Sequence, residues 1–535
     1  MPTRLTQVAA PPDRPLPLYI LYPLFFVAIY LTHYSLLSLP WFWDEAGYYI
    51  PAALDFFRTG SLIPHSTLTN AHPPLPSVLL AGWWHLAGLS IQGTRTFLAM
   101  IAAAALLGIF ALARTLAGNA VAIATTLLTA IYPIWFVQST LAHADLFAAV
   151  FTLWALAQYF QPNRTPATLI NIAGLFSLAA LSKETAIVTP FALILAEIFM
   201  KSQPWRWRDR NEEAKTLQTL LALAFPILPL LLWYAYHRHI TGFIFGNPEF
   251  LRYNATANLS PMRILLSLWH RLVHLFFHMN MWVPVACTLA ILPVKPRVPT
   301  ADEPTLTRQT LITLAILVAT NALAFSILGG ALLTRYLLPM YPLILLVCVT
   351  TWHQRLKQWR MLTALALAGF LAALFINPPY SFAPEDNLTY RDFITLHQRA
   401  ITLIARDFPY ATVLTAWPAT TELEHPDLGY TAHPIHVTPI DNFSLAEIQK
   451  AAHSPSDFDT ALVFSTKWVP PASQLSLTRH TEQADTKFFD FHRDLSPEEI
   501  AQILHGQILW QAHTHGEWAA ILRFPRSNEA QLMRR

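Results

Sequence analysis

Residues 74–89, P-L-P-S-V-L-L-A-G-W-W-H-L-A-G-L, decide how the rest of this 535-residue chain is read. At sixteen residues the stretch is marginal for a hydrocarbon core of about 30 Å, which takes ~20 residues of helix to cross. Its proline-rich start and the Trp83-Trp84-His85 cluster suit a helix lying at headgroup level instead. The choice sets the parity of every later segment.

Eleven other apolar stretches surround it, at 16–37, 95–116, 119–137, 144–160, 167–182, 185–200, 216–236, 271–293, 309–329, 336–352 and 360–376. With 74–89 in the interface, the basic residues fall in alternate loops: Arg114; Arg164; Lys201, Arg206, Arg208, Arg210 and Lys215; Lys295, Arg297 and Arg308; Arg355, Lys357 and Arg360. That is the pattern of cytoplasmic loops, and a crossing at 74–89 would turn all of them outward. The sequence therefore predicts a mainly α polytopic membrane protein with about 11 transmembrane helices and a cytoplasmic amino terminus. The first stretch, behind Arg4 and Arg14, reads as an uncleaved span because it is longer than a signal-peptide core and lacks a small-x-small cleavage site. Residues 38–94 become a large first outer loop. The turn at 139–145, the segment 237–263 and everything after Asn377 share its side.

Composition supports the class. The chain is 54% hydrophobic and 13% charged, against about 25% charged in ordinary soluble domains, so apolar surface must face lipid. A net charge of +3, without a basic run outside the short loops, gives no nucleic-acid footprint. Cys287 and Cys348 both lie in apolar stretches and form no disulfide framework. There is no P-loop, Rossmann glycine fingerprint or Cys-x-x-Cys, so nucleotide-driven and thiol-redox mechanisms lack support.

From Asn377 the charged residues return, which predicts a soluble extracytoplasmic α/β domain over 377–535 after a membrane domain over 1–376. Residues 390–408 carry a helical period. Ser444-Leu-Ala-Glu447 and Ser496-Pro-Glu-Glu499 read as capping boxes, and 411–417, 460–465 and 518–524 as strands.

Chemistry concentrates after the first span, in Trp41-Phe42-Trp43-Asp44-Glu45-Ala46-Gly47-Tyr48-Tyr49. Adjacent carboxylates at a membrane surface are costly to desolvate unless they have a task or a partner. Asp145, in Ser139-Thr-Leu-Ala-His143-Ala-Asp145, faces the same side, although alone it reads as an acid at a helix start. Lys183 and Arg335 stand on the outer side against the charge trend. They either snorkel or hold a lipid phosphate, for which the guanidinium of Arg335 offers a bidentate grip. His270, His274 and His278, four apart, read as a polar interfacial face rather than a metal stripe.

Taken in order, the Asp44-Glu45 pair, His72-Pro73-Pro74 before the interfacial helix, Asp145 after the third span, Lys183 near the fifth and Arg335-Tyr336-x-x-Pro339 late in the chain resemble one family. It is the membrane glycosyltransferases of the protein O-mannosyltransferase and aminoarabinose–lipid A transferase type, over about residues 15–376. The resemblance implies the integral-membrane glycosyltransferase fold. It also implies transfer of a hexosyl or pentosyl group, with inversion, from a polyprenyl-phosphate carrier to a protein, lipid or polysaccharide acceptor outside the cytoplasm. Carried over, Asp44 is the catalytic or acceptor-orienting carboxylate, Glu45 and Asp145 support it, and Lys183, Arg335 and Tyr336 hold the donor phosphate. His72 and His143 are supporting residues. The 377–535 region has no counterpart in the resemblance.

The chemistry is coherent. An acceptor hydroxyl must lose a proton as it attacks, which a carboxylate accepts, and a phosphate leaving group needs charge stabilisation more than protonation. Asp44, Glu45 and Asp145 offer the hard oxygens that magnesium or manganese would take, while the resemblance argues against a metal requirement. The alternative, a lipid or sugar transporter or flippase, would call for ionisable residues near the bilayer midplane or for repeated halves with broken helices. The sequence has neither.

Overall fold

The computed structural model describes residues 17–67, 72–202, 210–246, 260–297, 306–328, 331–470, 482–489 and 493–524. Each of the eleven apolar stretches contains a helix. By length and composition, three helices among the described residues could cross a membrane: Ile91–Ile131, Thr216–Thr241 and Arg308–Leu328. Leu18–Thr32, Ala144–Tyr159, Pro166–Ser182 and Trp359–Phe375 are apolar but shorter. The count of eleven crossings is thus not reproduced by helix length.

Ile91–Ile131 would be about 60 Å long as one rod, but Gly118 interrupts it in a non-helical conformation (φ 82°, ψ 173°). The expected stretches 95–116 and 119–137 fall on its two arms, the second running on past Tyr132 into the separate short helix Pro133–Gln138. The opening stretch forms the helix Leu75–Ala87, with Pro76 in its first turn and Gly88 ending it at φ 81°. Thirteen residues give it about 20 Å, short of a hydrocarbon core of about 30 Å.

One expectation needs correction. Residues 271–293 are not one straight helix: Pro261–Asn280 and Trp282–Ile291 meet at 94°. Met279 and Asn280 adopt left-handed backbone there (φ 47° and 63°). The bend is anchored by His278, whose Nε2 lies 2.9 Å from Asp386 Oδ2 and whose Nδ1 lies 3.0 Å from the Tyr380 hydroxyl. His278 is therefore buried, and the three histidines do not make a uniform polar face.

The carboxy-terminal region holds a five-stranded sheet of β1 (Thr412–Ala416), β2 (His436–Ile440), β3 (Thr460–Phe464), β4 (Gln507–Thr514) and β5 (Glu517–Arg523), in the order β2-β1-β3-β5-β4. The first three are parallel, and β5 pairs antiparallel with β3 and β4. Helix Thr389–Asp407 packs across β5 and β4 through Phe393, Leu396, Ala400, Ile401 and Ile404. The capping box at Ser496 is complete, whereas at Ser444 the side chain accepts from Glu447 N without the reciprocal bond.

This region sits on the first loop. Trp41 N donates to Leu428 O at 3.3 Å, Tyr430 donates its hydroxyl hydrogen to Trp41 O at 2.9 Å, and Arg58 pairs with Asp427 at 2.8 Å. The loop carrying Asp44 is thereby clamped between helices and sheet.

Candidate active site

Asp44 precedes a π-helical turn, Glu45–Tyr49, that runs into helix Ile50–Thr59. Such turns carry one extra residue per loop of backbone and recur at functional sites. The preceding Trp43 is left-handed (φ 46°), a conformation that costs a bulky residue of order 1–3 kcal/mol and persists only where the surroundings impose it. Here the ring packs against Phe393 and Trp417, with centroids 5.5 and 5.0 Å away.

The centre of the site is Arg335, in the short 3-10 turn Thr334–Leu337. Its side chain is 1% exposed. Nη2 donates to Asp44 and Nη1 to Glu385, while Nε lies 3.2 Å from Asp145 Oδ2. Asp145, at the start of helix Ala144–Tyr159, accepts in turn from Lys183 Nζ at 2.7 Å. A guanidinium in that environment would be prohibitively costly unpaired; two charge-assisted hydrogen bonds, to Asp44 and Glu385, and the ion pair with Asp145 make it tolerable. Tyr336 lies between cations, its ring centroid 3.9 Å from Lys183 Nζ and 5.5 Å from Arg271 Cζ.

Asp44, Asp145, Lys183, Arg335 and Tyr336 thus meet at one place. The other expected residues take neighbouring positions. Glu45 turns away from Asp44 and pairs with Arg95 Nη2 at 3.1 Å, accepting also from the N–H groups of Phe42 and Ala142. Arg95 donates further to the carbonyls of Leu39, Pro40 and Thr140. The pair is a buried strut between the first loop and the turn at 139–143. His72 lies 2.8 Å from Glu184 and stacks on Tyr49 at 6.1 Å. His143 donates from Nδ1 to Gln138 Oε1 at 2.8 Å if that tautomer is present, and burial holds its pKa well below the usual value, with Arg335, Lys183 and Arg95 adding to the effect. It is a neutral ring beside the cluster.

Two participants were not singled out from sequence. Glu385, in Pro384–Asp386, brings a third carboxylate to Arg335. Arg271 is fully buried and donates to the carbonyls of Leu333, Ala331 and Phe325, without a carboxylate partner among the described residues. Its neighbours His270 and His274 made the helix read as a surface; an arginine opening the apolar stretch 271–293 was the available signal.

A small cavity of ≈ 20 Å³ opens between Asp145, Lys183, Arg335, Tyr336, Asn321 and Phe325, room for about one water. A second, apolar cavity of ≈ 400 Å³ lies between the helices that supply Leu272, Phe276, Leu314, Val318, Ile344 and Cys348. Among the described residues no group of three or more His, Cys, Asp or Glu is arranged to hold a metal ion. Asp44, Glu45 and Asp145 do not converge on one point: their oxygens face Arg335, Arg95, Lys183 and the N–H groups of Phe42 and Ala142.

Comparison with known proteins agrees with the motif reading. The family model for dolichyl-phosphate-mannose-protein mannosyltransferase matches residues 71–233, a span that holds His72, Asp145 and Lys183. ArnT from Cupriavidus metallidurans bound to undecaprenyl phosphate superposes with a TM-score of 0.55 at 14% identity, over 95% of this chain and 99% of that one. The same protein in the apo state gives 0.54 at 13% identity, over 94% and 99%. These likenesses show a shared fold along nearly the whole chain, sheet region included. No curated protein matches the chain by sequence.

Two outcomes follow from the geometry. Arg95→Ala leaves Glu45 charged and buried, and is expected to cost about 3–5 kcal/mol, read as a lower unfolding midpoint of the solubilised protein. The double variant Glu45→Gln/Arg95→Met, with no orphan charge, should cost less; equal losses would remove the strut. Burial raises the Glu385 carboxyl to about 8 even though Arg335 pulls the other way, with Asp44, Asp386 and Asp145 reinforcing the rise. The folded state then holds a proton that the unfolded chain releases near 4.5. The associated stability is full below that value and falls as pH climbs toward 8. Glu385→Gln is expected to flatten the unfolding midpoint across this window, and an unaltered slope would place the titration elsewhere.

Proposed function

We propose that this chain is a glycosyltransferase that passes a sugar from a polyprenyl-phosphate carrier to an acceptor on the extracytoplasmic face. The observation that carries the reading is the position of Asp44. Its side chain is 18% exposed while Asp145 and Glu385, on the same guanidinium, are each 4% exposed. The outermost carboxylate of a cation-lined cluster is where an acceptor hydroxyl can arrive and surrender its proton.

On the inner side, Lys183, Arg335 and Tyr336 surround the small cavity, with Arg271 behind Tyr336. These are groups for the donor phosphate and for the charge that grows on it as the glycosidic bond breaks. The cavity is too small for a phosphate, so donor entry requires Arg335 to exchange a carboxylate for the incoming oxygens. Glu385, which tolerates a proton, is the partner that can leave at least cost. Arg271, which among the described residues meets carbonyls and the Tyr336 ring and no carboxylate, supplies charge without any exchange. The apolar cavity offers room for part of a polyprenyl tail. The fold shared with a protein crystallised with undecaprenyl phosphate supports a lipid carrier.

A single carboxylate at the surface fits a direct displacement, hence inversion. Two or three cations around the phosphate do the neutralising that a divalent metal would otherwise perform, so the reaction is metal-independent. The basic residues, falling in alternate loops and so on one side, support eleven crossings, several by helices shorter than the hydrocarbon core, with the region after 376 outside. Broad apolar faces on these helices, such as Leu221, Leu231, Leu232 and Leu365, are exposed and suit lipid contact.

The decisive assay offers the purified protein a panel of radiolabelled polyprenyl-phosphate sugars in EDTA. Consumption of one is expected, and Asp44→Asn should lower its turnover by about 100-fold or more. Arg335→Lys keeps the charge but loses the fork, and should also turn over slowly. Wild-type turnover in either variant would remove that residue from the mechanism, and dependence on added divalent ions would overturn the metal-free reading. For topology, single cysteines at the exposed positions Ser66 and Tyr410 are expected to react with an impermeant maleimide from outside, and one at Asn163 only after permeabilisation. Labelling of Tyr410 and Asn163 from the same side would reverse the placement.

A further inference from the structure

The chain leaves β1 at Ala416 and turns at once into Trp417, whose indole lies over the first loop. The fit is close: a Cβ on Gly47 would fall 2.6 Å from the ring. Trp43 and Tyr48 complete the group, their centroids 5.0 and 5.8 Å from that of Trp417. Asp44 is adjacent to Trp43 in the chain and precedes Tyr48 by one turn. All four are half-buried, whereas the rings behind them, Phe42, Tyr390, Phe393 and Phe464, are buried.

The sheet supplies an independent pointer. The chain passes from β1 to β2 on one side and returns to β3 on the other, so the strand order reverses at β1. In open α/β sheets the crevice outside the carboxyl ends of the strands, at such a reversal, is where ligands bind. Trp417 occupies that place, and it comes from a region outside the residues matched by the mannosyltransferase family model. Proton acceptance and phosphate stabilisation do not use the faces of these rings.

We infer that Trp417, Trp43 and Tyr48 form a carbohydrate subsite that takes a pyranose ring of the acceptor and presents one of its hydroxyls to Asp44. Aromatic faces are electron-rich, and the weakly positive C–H groups on a sugar face rest on them, which leaves the equatorial hydroxyls at the rim for polar partners. The acceptor is accordingly a glycan or glycolipid headgroup rather than a polypeptide. This rests on the glycosyltransferase reading and adds the acceptor's chemical class to it. The donor's own sugar shares the chemistry, but its phosphate belongs with Lys183 and Arg335, which meet Asp145 and Asp44.

Saturation-transfer NMR on the solubilised full-length chain, with maltotetraose, mannotetraose and chitotetraose as probes, tests the inference. Transfer to the ring C–H protons of at least one probe is expected, falling by about fivefold or more in Trp417→Ala. Trp417→Phe keeps an aromatic face and should retain most of the signal, which separates loss of the platform from loss of folding. No transfer from the wild type to any probe, or equal transfer in Trp417→Ala, overturns the subsite. Competition by undecaprenyl phosphoglucose but not by undecaprenyl phosphate would assign the rings to the donor sugar and overturn the acceptor assignment. Binding of undecaprenyl phosphate to the wild type, measured in parallel, tests the donor reading separately. Lipid binding without saccharide binding overturns the subsite alone, while saccharide binding without lipid binding supports the subsite and overturns the donor reading.

Discussion

Around the guanidinium of Arg335, carboxylates from three remote parts of the chain converge: Asp44 from the first loop, Asp145 from a helix start, Glu385 from the segment that follows the last apolar helix. A buried cation sets the terms for everything near it, since removing one partner exposes the others to an uncompensated charge. The loop that carries Asp44 must therefore be held in register with the turn at 139–145, and the Glu45–Arg95 pair does so from the opposite side. Strain at Trp43 is tolerated because both anchors and the rings of the sheet region hold the loop.

The electrostatic balance is uneven by design of the sequence. Asp44, Asp145 and Glu385 face Arg335 and Lys183, so the cluster carries surplus negative charge unless one acid is protonated. Burial selects Glu385 for that role. A site poised so close to neutrality can admit an anion by shifting partners instead of by opening a large cavity, which agrees with how little empty space lies beside Arg335.

Much of this was legible in the sequence because membranes make charge conspicuous. Asp44, Asp145, Lys183 and Arg335 stood out as ionisable residues on the sparsely charged side, and the structure brings them together. Glu45 looked like a second acid of the same site because its partner, Arg95, opens an apolar stretch and gave no sign of turning back. Glu385 was invisible for the opposite reason: it lies where charged residues are ordinary. The inner strands β1, β3 and β5 follow apolar runs, while β2 and β4 are edges, half-exposed and without that pattern; Pro439 within β2 is a residue that sheets accept at an edge. The break at Met279 and Asn280 depends on Asp386 reaching His278, a contact no local pattern encodes.

That Glu385 lies beyond the last apolar helix bears on how the protein is made. Asp44 leaves the ribosome 291 residues before Arg335, and later still comes Glu385. At ~5–20 residues per second the interval is tens of seconds. Throughout it the nascent chain displays a lone carboxylate without its counter-ion, and the charge cluster closes only when the carboxy-terminal third has been delivered and folded onto the first loop. A chain that stops short of Glu385 thus cannot assemble the full set of partners around Arg335, whatever number of its helices have already been inserted.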